Sequence, residues 1–231
     1  MRRKQLWSIV ALVCLLAGMM GASSSTWAQA ETARTDTLKI AIGDRIEDPT
    51  NFNIANFAVN RSATGLHQFV YEYFFYENLQ TGEYVPWLAE SYEYSADFSS
   101  ITVKLRDGVA WNDGQPFTAD DVVFTYDLMK KNPTMAWAAE ANGAVASVEA
   151  VDPLTVKFNL TTPNPRFHKY REAFPAVGIW GGATILPKHV YEGQDPLTFK
   201  NNPPVGTGPY KLKDATNTSV TWERRDDWWG N

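Results

Sequence analysis

The sequence predicts a mixed α/β protein, and three observations favour this fold class. Short segments such as Ile101–Arg106 alternate apolar and polar side chains, as strands with one buried face do. The segment Val122–Met129 instead repeats apolar residues at helical spacing, which is typical of an amphipathic helix. Turn residues, mostly Asp, Asn, Gly and Pro, separate these segments along the chain. The 231 residues allow one large or two small domains with a sizeable core.

The first thirty residues predict a secretory signal peptide. Three basic residues precede an apolar run from Ile9 to Met20, and Ala28-Gln29-Ala30 follows with the small-x-small pattern of a cleavage site. The run falls about six residues short of the roughly 18 to 20 needed to span a bilayer, so we do not interpret it as a membrane anchor. We therefore expect a mature protein that begins near Glu31 and lies in the periplasm or outside the cell.

Composition excludes several classes of function. Cys14, the only cysteine, lies inside the signal and follows Val13, so lipidation is not expected, and a mature chain without cysteine excludes disulfides and thiolate zinc sites. Loss of three of the 21 basic residues leaves 18 against 26 acidic ones, a net charge of -8 that disfavours nucleic acid as a partner. Seven tryptophans remain, which favours a broad core, a stacking pocket or both.

Periodicity predicts the elements in chain order. A first strand is predicted at Thr37–Ile42, before a loop of Asp, Pro and Asn. A helix is predicted over Ser62–Glu77, because five apolar residues there recur at spacings of three and four. Further strands are predicted around Tyr92 and Tyr94, at Ile101–Arg106, Val145–Val151 and Thr155–Leu160, around Tyr210 and Leu212, and around Val220 and Trp222.

The acidic stretch LRDGVAWNDGQPFTADDV, residues 105–122, raises three alternatives: a metal loop, a set of catalytic carboxylates, or architecture. A calcium loop of EF-hand type needs alternating acidic residues before its glycine and a glutamate at the twelfth position, and both are missing. Asp107 and Asp113 instead belong to turns with glycine, Trp111 lies between them on a short predicted strand, and Thr118 caps a helix whose Asp121 answers the cap amide. We therefore favour architecture, with the helix ending at Pro133.

Other reactive motifs are missing or weak. His67, His168 and His189 are far apart in sequence, so a histidine metal site is not predicted. Gly206-x-Gly208 is followed by Pro209, which favours a turn into a strand over a dinucleotide loop. No catalytic residue, metal or cofactor is therefore predicted.

The order of motifs resembles a known family. PWLAESYEYSADFSSITVKLRDGVAWNDGQPFTADDVVFTYDLM is followed by VEAVDPLTVKFNL, ILPKHVYEG, PVGTGPYKL and RRDDWWG. In this order they are similar to the extracellular solute-binding proteins of the dipeptide, oligopeptide and nickel group, which serve ABC importers. The resemblance runs from about Leu38 to Asn231. PNPRFHKY and ILPKHVYEG further resemble members that bind oligosaccharides such as cellobiose.

The resemblance implies a periplasmic-binding-protein fold, in which two α/β lobes are hinged around a cleft. Residues 31–56 would begin lobe one, residues 57–164 would form an inserted α+β domain, and residues 165–231 would return to lobe one. Family members are roughly twice as long, so we expect the second lobe to be missing from a truncated chain. The acidic stretch would then lie in the inserted domain, away from the cleft.

Candidate ligand contacts come from loops at the cleft edge. Asn53 and Asn56 offer amide groups for hydroxyls or peptides, although turn formation explains them equally well. Trp137 and Trp180 are candidates for stacking on a sugar ring or an apolar side chain, with core packing as the alternative. Arg61 is a candidate partner for a carboxylate, with an ordinary surface arginine as the alternative. Trp87 and Trp111 are assigned to the core.

These features predict a noncatalytic, monomeric solute-binding component of an ABC importer. Its partners would be an oligopeptide or oligosaccharide and the permease subunits. The alternative from another class is a secreted carbohydrate-active hydrolase, which would need two carboxylates about 5 to 9.5 Å apart across a cleft. A pair of that kind beside Trp137 or Trp180 would favour the hydrolase.

Overall fold

The computed structural model describes residues 38–41, 45–59, 64–177 and 181–231. The predicted signal peptide, Arg61 and Trp180 lie outside the described residues. Of the predicted first strand, only Leu38–Ala41 are described, and these four residues are not in a strand. No helix among the described residues is long and apolar enough to cross a membrane.

The described chain contains both strands and helices, so the predicted mixed α/β fold class is confirmed. The strands are β1 (Phe75–Glu77), β2 (Tyr84–Pro86), β3 (Ala89–Tyr94), β4 (Ser100–Leu105), β5 (Val145–Asp152), β6 (Thr155–Leu160), β7 (Ala176–Val177), β8 (Tyr210–Ala215) and β9 (Val220–Arg224). The α-helices are α1 (Ala119–Lys131), α2 (Ala138–Ala144) and α3 (Lys188–Tyr191), with a π-helical turn at Leu66–Val70 and a 3-10 turn at Phe167–Lys169.

The largest sheet is antiparallel with the order β3-β4-β6-β5. On β4 the alternate residues Ile101 and Val103 are buried, and they lie opposite Phe158 and Val156 of β6. Helix α1 packs on this face, where the Tyr126 ring meets the Phe158 ring edge to face at 5.2 Å. The alternation in the sequence therefore reports correctly which face of this sheet is buried.

A second sheet has the order β2-β1-β7, and it replaces part of a predicted helix. Helical structure is limited to the turn at Leu66–Val70, whereas Tyr71 is already extended and Phe75–Glu77 form β1. The prediction of a helix over Ser62–Glu77 is therefore wrong beyond residue 70. The aromatic run after Val70 favours strand, and the Phe74 amide donates to the carbonyl of Pro175 rather than to a preceding helical turn.

The strands β8 and β9 form a hairpin that follows the turn Val205–Pro209. Within that turn the Gly208 amide donates to the Val70 carbonyl at 2.8 Å. A Cβ atom at Gly206 would lie 2.2 Å from the same carbonyl oxygen. The two glycines therefore serve close backbone approach, in agreement with a turn into a strand.

Candidate functional site

The loop before the first helical turn is built from repeated Asx turns. The side-chain oxygens of Asp48, Asn51, Asn53 and Asn56 each accept a hydrogen bond from the backbone amide two residues later, at distances between 2.8 and 3.2 Å. Such local bonds fix a loop without regular secondary structure. The loop is therefore shaped by its own polar side chains.

Asn53 and Asn56 also fasten this loop to a distant segment. Asn53 Nδ2 donates to the Pro196 carbonyl at 2.7 Å, and Asn56 Nδ2 donates to the Leu197 carbonyl at 2.8 Å. Asn53 is 1% exposed, and both the nitrogen and the oxygen of its side-chain amide make hydrogen bonds in this structure. Asn56 is half-buried and retains one donor and one acceptor, since an amide side chain has two of each.

Trp137 has an unusual backbone conformation at the start of helix α2. Its φ of 65° and ψ of 3° are left-handed, a region that costs a residue other than glycine on the order of 1 to 3 kcal/mol. The neighbouring Ala136 amide donates to the Ala55 carbonyl at 2.8 Å, which links this position to the N-terminal loop. Strain of this kind persists where surrounding structure imposes it, and it is frequent at ligand sites.

The indole of Trp137 forms an aromatic pair with Phe57. The two ring centroids are 5.0 Å apart and the ring planes are nearly perpendicular. Phe57 is 50% exposed, whereas Trp137 is half-buried against the core. The Trp137 indole N–H is buried and has no hydrogen-bond partner among the described residues. The structure therefore brings together Asn56, Phe57 and Trp137, which we call the aromatic ledge.

The sequence predicts only part of the aromatic ledge. Asn56 and Trp137 are predicted candidates that the structure brings together, and Asn53 is a third that is buried in the same loop as Asn56. Phe57 was missed, although its place directly after a run of turn-forming Asn residues is a signal for an exposed aromatic side chain.

Asp48 anchors the beginning of the same loop and gives a testable titration. Hydrogen bonds from the Thr50 hydroxyl and from Lys200 lower the pKa of Asp48 from 3.8 to about 2. Because the folded pKa is lowered, the contribution of Asp48 to stability is present above pH 3.8 and is lost as the pH falls towards 2. We expect Thr50→Val and Lys200→Met each to raise the Asp48 pKa, as carboxyl NMR titration would measure. An Asp48 pKa that is unchanged in both variants would contradict these causes.

The acidic stretch has structural roles in the described residues. The Asp107 carboxylate accepts from the Gly108 amide, and Asp113 pairs with His189 at 2.7 Å. Asp120 lies 3.8 Å from the Lys188 ammonium on the surface. Asp121 is buried, and its carboxylate accepts from the backbone amides of Thr118 and Lys188, both at 2.9 Å. Trp111 lies in a turn beside an isolated bridge rather than on a strand, which corrects that prediction.

Replacing Asp121 by alanine should destabilise the fold by about 2 kcal/mol, because two half-buried backbone amides and the Trp111 indole lose their acceptor. Burial raises the pKa of Asp121, and the amides of Lys188 and Thr118 oppose that rise. The matched variant Asp120→Ala removes an exposed ion pair and should cost less than about 1 kcal/mol. If urea denaturation gave the two variants equal losses in the free energy of unfolding, the hydrogen bonds to the Asp121 carboxylate would not be what stabilises this region.

A second aromatic cluster lies at the closing RRDDWWG segment. The Glu72 carboxylate is buried and accepts from the indoles of Trp87 at 2.6 Å and Trp229 at 3.0 Å. Burial raises the pKa of Glu72, and the hydrogen bonds from Trp229 and Trp87 oppose the rise. Trp111 is 1% exposed, which confirms its place in the core, whereas Trp87 is half-buried and packs against it.

Metal-ligating side chains are dispersed in the part of the chain that the structure describes. No group of three or more His, Cys, Asp or Glu residues is placed there to hold a metal ion. His67 bonds the Tyr73 hydroxyl at 2.7 Å, and His168 lies 2.9 Å from the Tyr94 hydroxyl. The three histidines therefore have separate surroundings.

Comparison with known proteins identifies the class. Residues 83–231 match the family described as bacterial extracellular solute-binding proteins, family 5 Middle. This match covers more than half of the chain, so the protein belongs to that family, and the predicted resemblance is confirmed. The family is a class of substrate-binding proteins rather than a class of enzymes.

Individual relatives agree with this assignment. The peptidoglycan-binding protein YepA of Agrobacterium fabrum is 33% identical over 147 residues, which are 62% of this chain and 22% of the relative. A periplasmic oligopeptide-binding protein of Thermotoga maritima, solved with mannohexaose, aligns with a TM-score of 0.67 and 31% identity over 79% of this chain and 32% of that one. The oligopeptide-binding protein AppA of Bacillus subtilis, solved with a nonapeptide, aligns with a TM-score of 0.64 and 26% identity over 80% of this chain and 36% of that one.

The chain spans about a fifth of the curated relative and about a third of the two solved proteins. The solved relatives have the periplasmic-binding-protein fold.

Proposed function

We propose that this chain provides part of the ligand-binding surface of a solute-binding component of an ABC importer. The solute is an oligopeptide or an oligosaccharide, held without chemical change. The component works in the periplasm or at the outer face of the cell, as a monomer, and delivers its solute to permease subunits. Family membership and the two solved relatives support the class, and the aromatic ledge supports the location of the surface.

The observation that carries the location is the strained Trp137 against the exposed Phe57. The ring planes are nearly perpendicular, so one face of a flat apolar group or sugar ring can rest on one ring while it meets the edge of the other. Asn56 lies one residue from Phe57 and offers a donor and an acceptor to hydroxyl or peptide groups. Arg61 and Trp180 remain proposed contacts from the sequence.

The domain scheme is part of the same proposal. Hydrogen bonds from Asn53 and Asn56 to Pro196 and Leu197 support the placement of residues 31–56 and 165–231 in one lobe. The bond from the Ala136 amide to the Ala55 carbonyl supports a position of the ledge where this lobe meets the inserted domain of residues 57–164. We propose that a second lobe supplies the opposite wall of the cleft, as the two-lobed fold of the family implies.

Calorimetric titration of the full chain with a nonapeptide and with mannohexaose tests the proposal. We expect saturable binding of at least one of them, and Trp137→Leu should weaken it by about tenfold or more. Trp137→Phe should retain part of the affinity, because it keeps a flat aromatic ring while it removes the five-membered ring of the indole with its unpaired N–H.

Trp228→Leu is the matched control, because it makes the same change of side chain in another half-buried tryptophan. It lies in the closing aromatic cluster and should bind like the unchanged chain. Binding that survives in Trp137→Leu and is lost in Trp228→Leu would place the surface elsewhere. Shortened products of either ligand would favour a hydrolase.

A further inference from the structure

A polar cavity lies beside helix α2, and it shares no lining residue with the aromatic ledge. It has a volume of about 370 Å³ and is lined mainly by Glu140, Thr161, Thr162, Asn164, Phe167 and Tyr170. Trp137 and Phe57 are not among its lining residues. The volume is at the lower end of the roughly 300 to 1,000 Å³ of ligand pockets, so a short ligand fits it.

The floor of the cavity is fixed by the fold. The Thr161 hydroxyl donates to the Gly143 carbonyl at 2.8 Å, and its amide donates to the Ala144 carbonyl at 3.0 Å, which ties the end of β6 to α2. Phe167, which lines the cavity, is buried, and its ring packs edge to face on the Phe174 ring with the two centroids 5.4 Å apart. The walls are therefore built on a helix, a strand end and a core ring, and such rigid elements hold a site in place.

The polar groups of the walls are available. Asn164 Oδ1 accepts from the Arg166 amide, whereas its Nδ2 makes no hydrogen bond within the described residues. The side chains of Glu140 and Thr162 and the Tyr170 hydroxyl likewise make none to other described residues. Tyr170 is 37% exposed, so part of its ring is also accessible.

The chemistry of these groups selects the ligand. None of the six named lining residues is basic, so the cavity lacks a partner for a carboxylate or phosphate. The Glu140 carboxylate lies among neutral hydroxyl and amide groups, and together these groups both accept and donate hydrogen bonds. Sugar hydroxyls also do both, and the Tyr170 ring offers a face for the apolar side of a sugar ring. Burial raises the pKa of Tyr170, and the carboxylates of Glu140 and Glu172 raise it further, in keeping with a negative local potential.

We propose that this cavity is a saccharide-binding site that takes a neutral mono- or disaccharide. In it, Glu140 and Asn164 hydrogen-bond the sugar hydroxyls, and the Tyr170 ring packs against the sugar. The site is separate from the aromatic ledge, so it does not depend on which solute the ledge holds.

NMR titration of the 15N-labelled full chain with cellobiose tests this site. We expect the amide signals of Gly143, Thr161, Thr162 and Asn164 to shift in a saturable manner. Cellobionate, the anionic counterpart, should bind at least about tenfold more weakly, because no basic side chain meets its carboxylate.

Two variants and one control locate the binding. Tyr170→Leu and Glu140→Gln should each weaken cellobiose binding by about tenfold. Glu140→Gln preserves the shape of the side chain, so it tests the site even if Tyr170→Leu disturbs the fold. Glu93→Gln, at an exposed position on β3, should leave the affinity unchanged. The site is overturned if the cavity amides do not shift, or if both variants bind as the unchanged chain does. Shifts confined to the aromatic ledge would also overturn it, while leaving the proposed function intact.

Discussion

Replacing Gly206 by alanine is expected to destabilise the fold by about 3 kcal/mol, the upper end of the usual cost of overpacking. The new Cβ atom would lie 2.2 Å from the Val70 carbonyl oxygen and 2.6 Å from Val70 Cγ1. The loop is not free to retreat, because the Gly206 carbonyl accepts from the Asn112 amide at 2.9 Å and the Gly208 amide donates to Val70. Relief of the clash therefore breaks backbone hydrogen bonds.

Gly143→Ala is the control for this change. A Cβ atom at Gly143 meets nothing within 4 Å, and the residue lies in helix α2. Alanine favours helix over glycine by up to about 1 kcal/mol, so this variant should be neutral or more stable. Urea denaturation of both variants measures the difference. A cost below about 1 kcal/mol for Gly206→Ala would contradict the close approach.

Replacing Arg225 by leucine is expected to cost about 4 kcal/mol, the largest effect foreseen in this fold. Arg225 is 2% exposed, and its guanidinium donates to the carbonyls of Thr207, Gly208 and Trp111 at 3.0 to 3.3 Å. Leucine leaves the carbonyls of Thr207 and Gly208 without a donor, whereas the Trp111 carbonyl keeps the Gly114 amide. Each unsatisfied buried group costs about 1 to 3 kcal/mol. Arg225→Lys should recover little of the stability that Arg225→Leu loses, because an ammonium lacks the planar, forked set of N–H donors that reaches several carbonyls.

The adjacent Arg224 provides the matched control. It is exposed and donates to the Asn231 side chain at 2.8 Å. Arg224→Leu removes the same charge from the same motif, and it should cost less than about 1 kcal/mol. Thermal and urea denaturation of the two variants, each compared with the unchanged chain, give the comparison. Similar losses at both positions would mean that charge, rather than the buried carbonyl contacts, explains the effect.

Sequence reasoning succeeded where one local signal dominated. In the strands at Ser100–Leu105 and Thr155–Leu160 the apolar residues lie on a buried face and the residues between them are mostly less buried, so alternation predicts them. Helix α1 has a capping signal at Thr118 and ends at Lys131, and its C-cap Asn132 directly precedes the proline. In both cases the propensity, the pattern and the turn residues agree, and the tertiary structure does not override them.

The failures have tertiary causes. The segment after Val70 has helical spacing, yet it pairs with β2 and β7, because strand pairing and burial outweigh a spacing of five apolar residues. Asn53 stays a predicted ligand contact, and its hydrogen bond to Pro196, distant in sequence, also depends on tertiary structure that periodicity does not predict. The left-handed backbone of Trp137 and its contact with Phe57 also depend on tertiary structure, and periodicity gives no sign of them.

The central claim is that the chain holds a solute and leaves it unchanged. Mass spectrometry of mannohexaose and of a nonapeptide, after long incubation with the full chain and release by denaturation, tests this claim most directly. We predict that both are recovered at their original masses, with the bound share reduced in Trp137→Leu. Fragments of either ligand that form with the unchanged chain and vanish when Asp107, Asp113, Asp120 or Asp121 is replaced would contradict it.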